Sequence, residues 1–281
     1  MTTTDSVSPY QVTHPLIMKT NTKSVVACQM YPWSQRCQEK GENWREHLDQ
    51  ILSTLAEAGY EAWEQSFPEK AEAQTVKALL DRHELVARSQ YIGGRWHEPE
   101  SGRKTLDAAK READAGRSIG VEIVVCNPEP IAWGKPLDKT DDEIKRQCDL
   151  INRFGEWLSN LGVKLSYHTH DSEMRQGARE FHHMLLRTNP AHVGFCLDAH
   201  WVYRGCGNSQ MALDDIIHAY GNRLAALHLR QSRDNVWMET LGEGDIDYSV
   251  LAAKVKEILF SGPIIVECAI EPGTPQTMSD V

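Results

Sequence analysis

Short apolar runs alternate along this chain with longer amphipathic stretches. Runs such as VEIVVC, VGFCL, LAALHL and PIIVE are almost wholly apolar, as expected of strands buried on both faces. Eight runs of strand length occur, at residues 25–30, 60–64, 85–89, 121–126, 164–168, 193–197, 224–229 and 263–267. Because strands that alternate with helices favour parallel sheets with crossover helices, the pattern predicts an α/β protein built as a (β/α)8 barrel.

Helix start and stop signals fall between these runs. The apolar residues at positions 44, 48, 51, 52 and 55 share one helical face, and Gly59 follows them as a residue suited to the left-handed cap position. Gly120 and Gly162 are placed to end helices in the same way before the fourth and fifth strands. Thr140 and Glu143 have the spacing of a capping box, which predicts a helix from there to about residue 161.

The two ends of the chain differ from its middle. Residues 1–23 are rich in Thr and Ser, which predicts a flexible N-terminal extension, and residues 24–281 have the length of a single TIM-barrel domain. The tail EPGTPQTMSDV is too short and too rich in Pro and Gly for a full eighth helix, so we expect that helix to be short or missing. The extension or a second subunit would then cover this flank, which makes a homo-oligomer an expectation.

Charge and cysteine content exclude several classes of protein. A formal net charge of −10 disfavours nucleic acid as a partner, because binding many phosphates needs clustered Lys and Arg. The seven cysteines are scattered, without a C-x-x-C pair, which argues against a disulfide framework or a thiolate zinc site. The chain also has neither a secretory signal pattern nor an apolar run of about 20 residues. We therefore expect a cytoplasmic protein that does not bind membranes.

Ionisable residues stand at the ends of four successive strands: His168, Asp198, His228 and Glu267. The carboxyl ends of barrel strands converge on one mouth, and burying such groups unpaired costs several kcal/mol each. A lone His or Glu near a strand end is more often a local hydrogen-bonding group, but four at successive ends favour a metal site. Imidazole and carboxylate ligands without thiolate suit Mn²⁺, Co²⁺, Zn²⁺ or Mg²⁺.

Other polar and aromatic residues near the predicted mouth are further candidates. His170 lies on the same side of the strand as His168. His170 and Glu173 could each take part in catalysis or support a metal ligand, or each could be an ordinary loop residue. Arg230, two residues past His228, either binds an anionic oxygen or forms a salt bridge. Tryptophans in the loops after strands can stack on a sugar ring or pack the rim. The candidates for substrate binding are Trp33, His200, Trp201 and Arg230.

These motifs resemble those of the xylose isomerase-like superfamily, specifically its group of sugar phosphate isomerases/epimerases, which also contains the inosose dehydratases. LSYHTHDSEM is similar to the family segment G-Y-H-N-H-x-x-E, VGFCLDAHWVYRG to L-D-x-x-W, AALHLRQ to H-x-K/R, and LGEGDIDY to G-x-G-x-I-D-Y. IIVE supplies the glutamate of the last strand. The resemblance covers about residues 25–272.

The resemblance implies a set of ligands. In the ketose epimerases of this group, two glutamates, an aspartate and a histidine hold the metal, and the glutamates also move protons. By position these ligands correspond to His168, Asp198, His228 and Glu267, with His168 where the epimerases have Glu. That departure resembles the dehydratase and keto-glycoside branches, and it leaves Glu173 as an alternative ligand.

The resemblance also implies an activity. We expect a divalent-metal-dependent isomerase or epimerase, with Mn²⁺ first, that acts on a keto-sugar or related polyol through an enediolate. Glu267 would be the base, and His170 or Glu173 would return a proton or assist a leaving hydroxyl. The alternative is a lyase that dehydrates a keto-inositol or 3-keto-glycoside by β-elimination. Outside this class stand a non-catalytic sugar-binding barrel and an endonuclease IV-like enzyme, the latter disfavoured by the acidic charge.

Overall fold

Eight parallel strands form one sheet in the computed structural model, which describes residues 23–275. They are β1 (Val26–Gln29), β2 (Ala62–Glu64), β3 (Ser89–Gly94), β4 (Ile123–Pro128), β5 (Lys164–Tyr167), β6 (Val193–Asp198), β7 (Leu224–Leu229) and β10 (Ile264–Val266). Their order is β2-β1-β10-β7-β6-β5-β4-β3, and a parallel bridge joins Ala62 of β2 to Val86, in the segment that leads into β3. The sheet is therefore a nearly closed barrel, and the predicted TIM-barrel fold is confirmed.

Helices cover the outside of this barrel. They are α1 (Tyr31–Glu39), α2 (Leu48–Glu57), α3 (Lys70–Arg82), α4 (Ser101–Arg117), α5 (Asp141–Ser159), α6 (Asp171–Arg187), α7 (Ala199–Gly205), α8 (Gln210–Tyr220) and α9 (Ser249–Glu257). Two short strands, β8 (Ser232–Arg233) and β9 (Val236–Trp237), form an antiparallel hairpin after β7. As far as residue 275, no helix follows β10, in agreement with the expectation from the tail. Within residues 23–275, no helix is long and apolar enough to cross a bilayer.

The predicted helix signals hold at most boundaries. The buried face of α2 contains Leu48, Ile51, Leu52 and Leu55, as the apolar spacing predicts. Gly59, Gly120 and Gly162 all have positive φ, at 87°, 103° and 75°. Thr140 and Glu143 form the predicted capping box at the start of α5.

Two elements differ from the sequence-based expectation. The third strand was predicted at residues 85–89, and these bounds were wrong, because β3 runs from Ser89 to Gly94 and only Val86 before it forms a parallel bridge. The segment SQYIGG lacks the apolar continuity of the other strands. Within α6, Gln176, Gly177 and Ala178 adopt left-handed backbone angles, so the helix is interrupted. The predicted N-terminal extension, apart from Lys23, lies outside the described residues.

Candidate active site

Strand alternation explains why polar side chains meet at the carboxyl end of the barrel. A small cluster inside the barrel includes one residue each from β2, β6, β7 and β10, namely Ala62, Cys196, Ala226 and Ile265. Two residues further along each strand, on the same side, stand Glu64, Asp198, His228 and Glu267. His168 directly follows β5, and its backbone N–H donates to the carbonyl oxygen of Cys126, which extends the pairing with β4.

The four predicted ligands lie together. His168, Asp198, His228 and Glu267 each offer a ligand atom, and these atoms all lie within 4.8 Å of one another. His168 Nε2 is 3.5 Å from Asp198 Oδ2, and His228 Nδ1 is 2.9 Å from Glu267 Oε2. The first three residues are fully buried and Glu267 is only 9% exposed. The structure therefore brings together the residues that the sequence singled out.

The donor set fits a divalent cation. Both ring nitrogens of His168 are buried without a hydrogen-bond partner among the described residues. Buried polar atoms left unpaired are costly, which is a reason to expect a ligand between them. Two imidazoles and two carboxylates, with no thiolate, are donors that Mn²⁺, Co²⁺ or Zn²⁺ can accept. The group of four contains His168 from the strand-five region and not Glu173.

Opposing charges set the ionisation of these groups. Burial acts to raise the pKa of Glu267, but Arg230 and His228 hold it below its usual value. Burial likewise acts against ionisation of Asp198, and His168 and Arg230 keep its pKa low. Burial acts to lower the pKa of His228, but the carboxylates of Glu64 and Glu267 raise it to about 10. Both carboxylates of the group are therefore ionised at neutral pH.

His170 lies beside this group with its ring among aromatic side chains. Its ring centroid is 4.9 Å from those of His168 and Trp133 and 5.5 Å from that of Trp201. Burial, with help from the nearby His168, lowers the pKa of His170 to about 3, so the ring is neutral at pH 7. Its Nδ1 is 3.1 Å from Asn127 Oδ1, which accepts the ring hydrogen and leaves the lone pair on Nε2.

Glu173 supports His170 from the first turn of α6. One carboxylate oxygen accepts the backbone N–H of His170 at 2.7 Å, and the other is buried without a hydrogen-bond partner among residues 23–275. Burial, reinforced by Glu180, raises the pKa of Glu173 to about 7. The residue therefore holds the His170 backbone in place and is partly protonated near neutral pH.

Arg230 forms a salt bridge within the site, which is one of the two roles considered for it. Its Nη2 is 3.0 Å from Glu267 Oε1, and its Nε donates to the backbone oxygen of Glu267 at 2.7 Å. The guanidinium carbon lies 4.1 Å from the ring centroid of Trp237 and 5.4 Å from that of Trp201. The ion pair and the two indole rings hold the charge of Arg230 directly behind Glu267.

The remaining substrate-binding candidates separate into two places. His200 is buried next to Trp201 and Trp237, and both of its ring nitrogens lack a hydrogen-bond partner among the described residues. Trp33 lies in α1 and packs, partly buried, against the hydrophobic cluster that contains Trp63. Substrate contact by any of these side chains stays a prediction.

Two further residues at this site were not among the candidates predicted from the sequence. Glu64 is fully buried at the end of β2, with Oε1 2.9 Å from His228 Nε2. It ends the second predicted strand, so the strand-end criterion that selected the other ligands could have found it. The ring centroid of Tyr91 is 5.4 Å from that of His168 and 6.3 Å from that of His228. Tyr91 was not a candidate because the third strand was predicted to end at residue 89, whereas β3 continues to Gly94.

Known proteins share both the sequence pattern and the fold. An inosose dehydratase from Geobacillus kaustophilus is 26% identical over 253 residues, which cover 80% of this chain and 80% of that protein. Another from Mesomycoplasma hyopneumoniae is 23% identical over 250 residues, covering 80% of this chain and 82% of that protein. These relatives are enzymes, which confirms the expectation that the chain is one.

Solved structures show the same barrel. A sugar phosphate isomerase/epimerase from Parabacteroides distasonis matches with a TM-score of 0.70 at 21% identity, covering 99% of this chain and 93% of that one. A D-allulose 3-epimerase from Methylomonas sp., in complex with D-allulose, matches with a TM-score of 0.68 at 17% identity, covering 88% and 85%. The family model described as Xylose isomerase-like TIM barrel matches residues 52–280. The resemblance inferred from the motifs is thus confirmed, and the chain belongs to the xylose isomerase-like TIM-barrel family.

Proposed function

We propose that the protein is a divalent-cation-dependent lyase that dehydrates a polyhydroxylated cyclic ketone, such as a keto-inositol. The substrate loses a proton from the carbon beside the ketone and a hydroxyl from the next carbon, and water leaves. The observation that carries this proposal is the mixed donor set, in which His168 faces Asp198 and Glu267 is the carboxylate next to Arg230. The curated relatives named inosose dehydratase support the same choice.

The asymmetry of the donor set favours elimination over epimerisation. Epimerisation removes a proton from one face of a carbon and returns one to the other face, which calls for two proton-transfer groups on opposite sides. An imidazole, His168, stands where the epimerases of the family have their second glutamate. Asp198 accepts the backbone N–H of Trp201 at 2.8 Å and caps α7, so it has a structural task as well. Elimination needs only one base and a proton donor for the leaving hydroxyl.

Glu267 is the base in this proposal. Arg230 and His228 keep its carboxylate ionised, so that it can accept the proton. A bound divalent cation would act as a Lewis acid and stabilise the negative charge that develops on the substrate carbonyl oxygen. Breaking the C–H bond leaves its electron pair to form a carbon–carbon double bond while the C–O bond of the β-hydroxyl breaks.

His170 has a supporting role in the second half of the reaction. Its neutral ring offers the Nε2 lone pair, which can accept the hydrogen of the β-hydroxyl and orient that oxygen. The proton taken up by Glu267 then passes to the departing oxygen, so that water leaves and the carboxylate returns to its ionised form. Trp133 and Trp201 flank His170 and are suited to pack against the C–H face of the ring of the substrate.

The isomerase or epimerase expected first from the motifs is the second candidate. The solved neighbours include epimerases, and both reactions begin with removal of the same proton. We retain Mn²⁺ as the expected ion and a small carbohydrate or cyclitol as the substrate. The cytoplasm is the expected compartment, because all seven cysteines are free. A homo-oligomer remains the expectation for the flank where, up to residue 275, no helix follows β10.

Incubation with a keto-inositol and Mn²⁺ in D2O, followed by NMR spectroscopy, separates these candidates. We expect an unsaturated product formed with loss of water, and no activity after treatment with a chelator. Deuterium at the α-carbon without loss of water would instead support the epimerase. No change in any keto-inositol or ketose in the presence of Mn²⁺ would contradict both candidates.

A further inference from the structure

The two ring nitrogens of His228 face two different carboxylates. Nδ1 lies 2.9 Å from Glu267 Oε2, within the proposed cation site, and Nε2 lies 2.9 Å from Glu64 Oε1, on the side of β2. Glu64 and His228 are both fully buried. The imidazole is therefore held between one carboxylate of the site and one carboxylate behind it.

Rigid elements fix the position of Glu64. The residue ends β2, where it pairs with Gln29 of β1, and its backbone oxygen accepts the N–H of Met30 at 3.0 Å. Ser89, the first residue of β3, donates its hydroxyl to Glu64 Oε2. Oε1 is therefore the oxygen left to face His228. Within residues 23–275, no Lys or Arg forms an ion pair with Glu64, and its charged neighbour is the histidine.

We propose that Glu64 is a positioning residue that sets the orientation and tautomer of His228. When a cation occupies the site, a carboxylate beside Nε2 keeps the ring hydrogen on that nitrogen, which leaves the Nδ1 lone pair on the side of Glu267. A histidine that binds a metal commonly donates its other ring N–H to a carboxylate, which fixes the ring and makes the ligand more basic. This role rests on the cation site of the proposed function.

The identity of the residue matters as well as its position. A carboxylate only accepts hydrogen bonds, whereas an amide could turn its NH2 toward Nε2 and move the ring hydrogen to Nδ1. The hydrogen would then point into the cation site. Glu64 thus excludes the tautomer that cannot bind an ion through Nδ1.

Titration of chelator-treated protein with Mn²⁺ tests this role. We expect Glu64→Gln, which keeps the size of the side chain, to bind Mn²⁺ about 10- to 100-fold more weakly than the wild type. Ser89→Ala should weaken binding less, because it removes only the hydrogen bond that orients Glu64. The matched control is Glu180→Gln, a buried carboxylate that accepts from Lys139 and Gln147 between α5 and α6. The control should bind Mn²⁺ like the wild type.

A second measurement separates positioning from a general loss of structure. In protein labelled with ¹⁵N-histidine and loaded with Mg²⁺, NMR should show a slowly exchanging hydrogen on Nε2 of one histidine in the wild type and in Glu180→Gln. That signal should be lost in Glu64→Gln while the circular dichroism of the variant stays unchanged. Glu64→Asp, which keeps the charge but shortens the side chain, should bind Mn²⁺ with an affinity between those of the wild type and Glu64→Gln.

The outcomes distinguish this inference from the proposed function. If the wild type binds Mn²⁺ and Glu64→Gln binds it equally well, the role of Glu64 is overturned and the cation site stands. If Glu180→Gln weakens binding as much as Glu64→Gln, the effect is one of stability and the role is likewise overturned. If the wild type binds no Mn²⁺, the cation site itself is refuted, and the role of Glu64 with it.

Discussion

The polar side chains at the barrel mouth lie close together because side chains two residues apart on a strand point to the same side. Ala62, Cys196 and Ala226 are small and fill the barrel interior, and the residues two positions later are polar and stand where the strands end. Two of these residues form ion pairs with a neighbour: Glu267 with Arg230, and His228 with Glu64. The side chains are therefore held in place before a ligand arrives.

Replacing Glu267 tests the base directly. Glu267→Gln keeps the size of the side chain but removes its ability to accept a proton, so turnover should fall by a factor of at least about 100. The measurement is the initial rate of water loss from a keto-inositol with saturating Mn²⁺. Glu112→Gln, a carboxylate on α4 whose pKa is raised by burial, is the matched control and should keep the wild-type rate. Activity of Glu267→Gln within about threefold of the wild type would rule Glu267 out as the base.

A buried histidine outside the group of four predicted ligands predicts how stability depends on pH. His97 is 1% exposed, and burial, together with the charge of Lys139, lowers its pKa. Below about pH 6.5, the ordinary histidine pKa, the unfolded chain therefore binds a proton at this residue while the folded state still does not. The stability that the neutral form of His97 allows is therefore fully present above about pH 6.5. It is lost progressively as the pH falls below that value, because protonation favours the unfolded chain.

Urea unfolding at pH 7 and pH 5.5 measures this loss. His97→Gln should lose less free energy of unfolding over the interval than the wild type, by at most about 1 kcal/mol. His218→Gln, which alters an exposed histidine of α8, should behave like the wild type. An identical pH dependence in His97→Gln and the wild type would show that His97 titrates normally in the folded state.

Helices end in two chemically different ways in this chain. At the end of α5, Gly162 has φ 75°, and its N–H donates to Ser159 while that of Val163 donates to Leu158. At the end of α9, Leu259 occupies the same position with φ 50°, although it is not glycine and is 66% exposed. A side chain in left-handed backbone costs about 1–2 kcal/mol, so α9 ends with strain that α5 avoids.

Leu259→Gly and Gly162→Ala should change the free energy of unfolding in opposite directions. Leu259→Gly relieves the backbone and loses little burial, so the free energy of unfolding should rise by about 0.5–1 kcal/mol after the added flexibility of the unfolded chain is counted. Gly162→Ala has open space for its methyl group and should lower the free energy of unfolding by about 1 kcal/mol through backbone strain. Denaturant midpoints measure both changes, and a destabilised Leu259→Gly would contradict the account.

Elements with strong local signals are the ones that the sequence predicts. Thr140 and Glu143 mark the start of α5, and the apolar run of β7 has the predicted bounds. The bounds of β3 are harder to predict, because Gln90 and Gly94 interrupt its apolar pattern. Its position is decided by pairing with β4, which lies about 30 residues further along the chain. The left-handed run within α6 also has no local signal apart from Gly177.

At the scale of the whole molecule, the barrel turns distant sequence positions into one site. The four strand ends at His168, Asp198, His228 and Glu267 could be predicted as a group, because barrel topology brings carboxyl ends together whatever their separation along the chain. Contacts across the barrel, such as that of Glu64 with His228, depend on side-chain directions that a strand pattern alone does not specify. Membership of the family confirms the architecture and leaves the reaction to be tested.

Anomalous diffraction from crystals grown with Mn²⁺ tests the central claim most directly. We expect one manganese peak per chain at the barrel mouth, about 2.0–2.3 Å from a donor atom of each of His168, Asp198, His228 and Glu267. The absence of a manganese peak at the mouth, or a peak bound by other side chains, would contradict the proposed site and the reaction built on it.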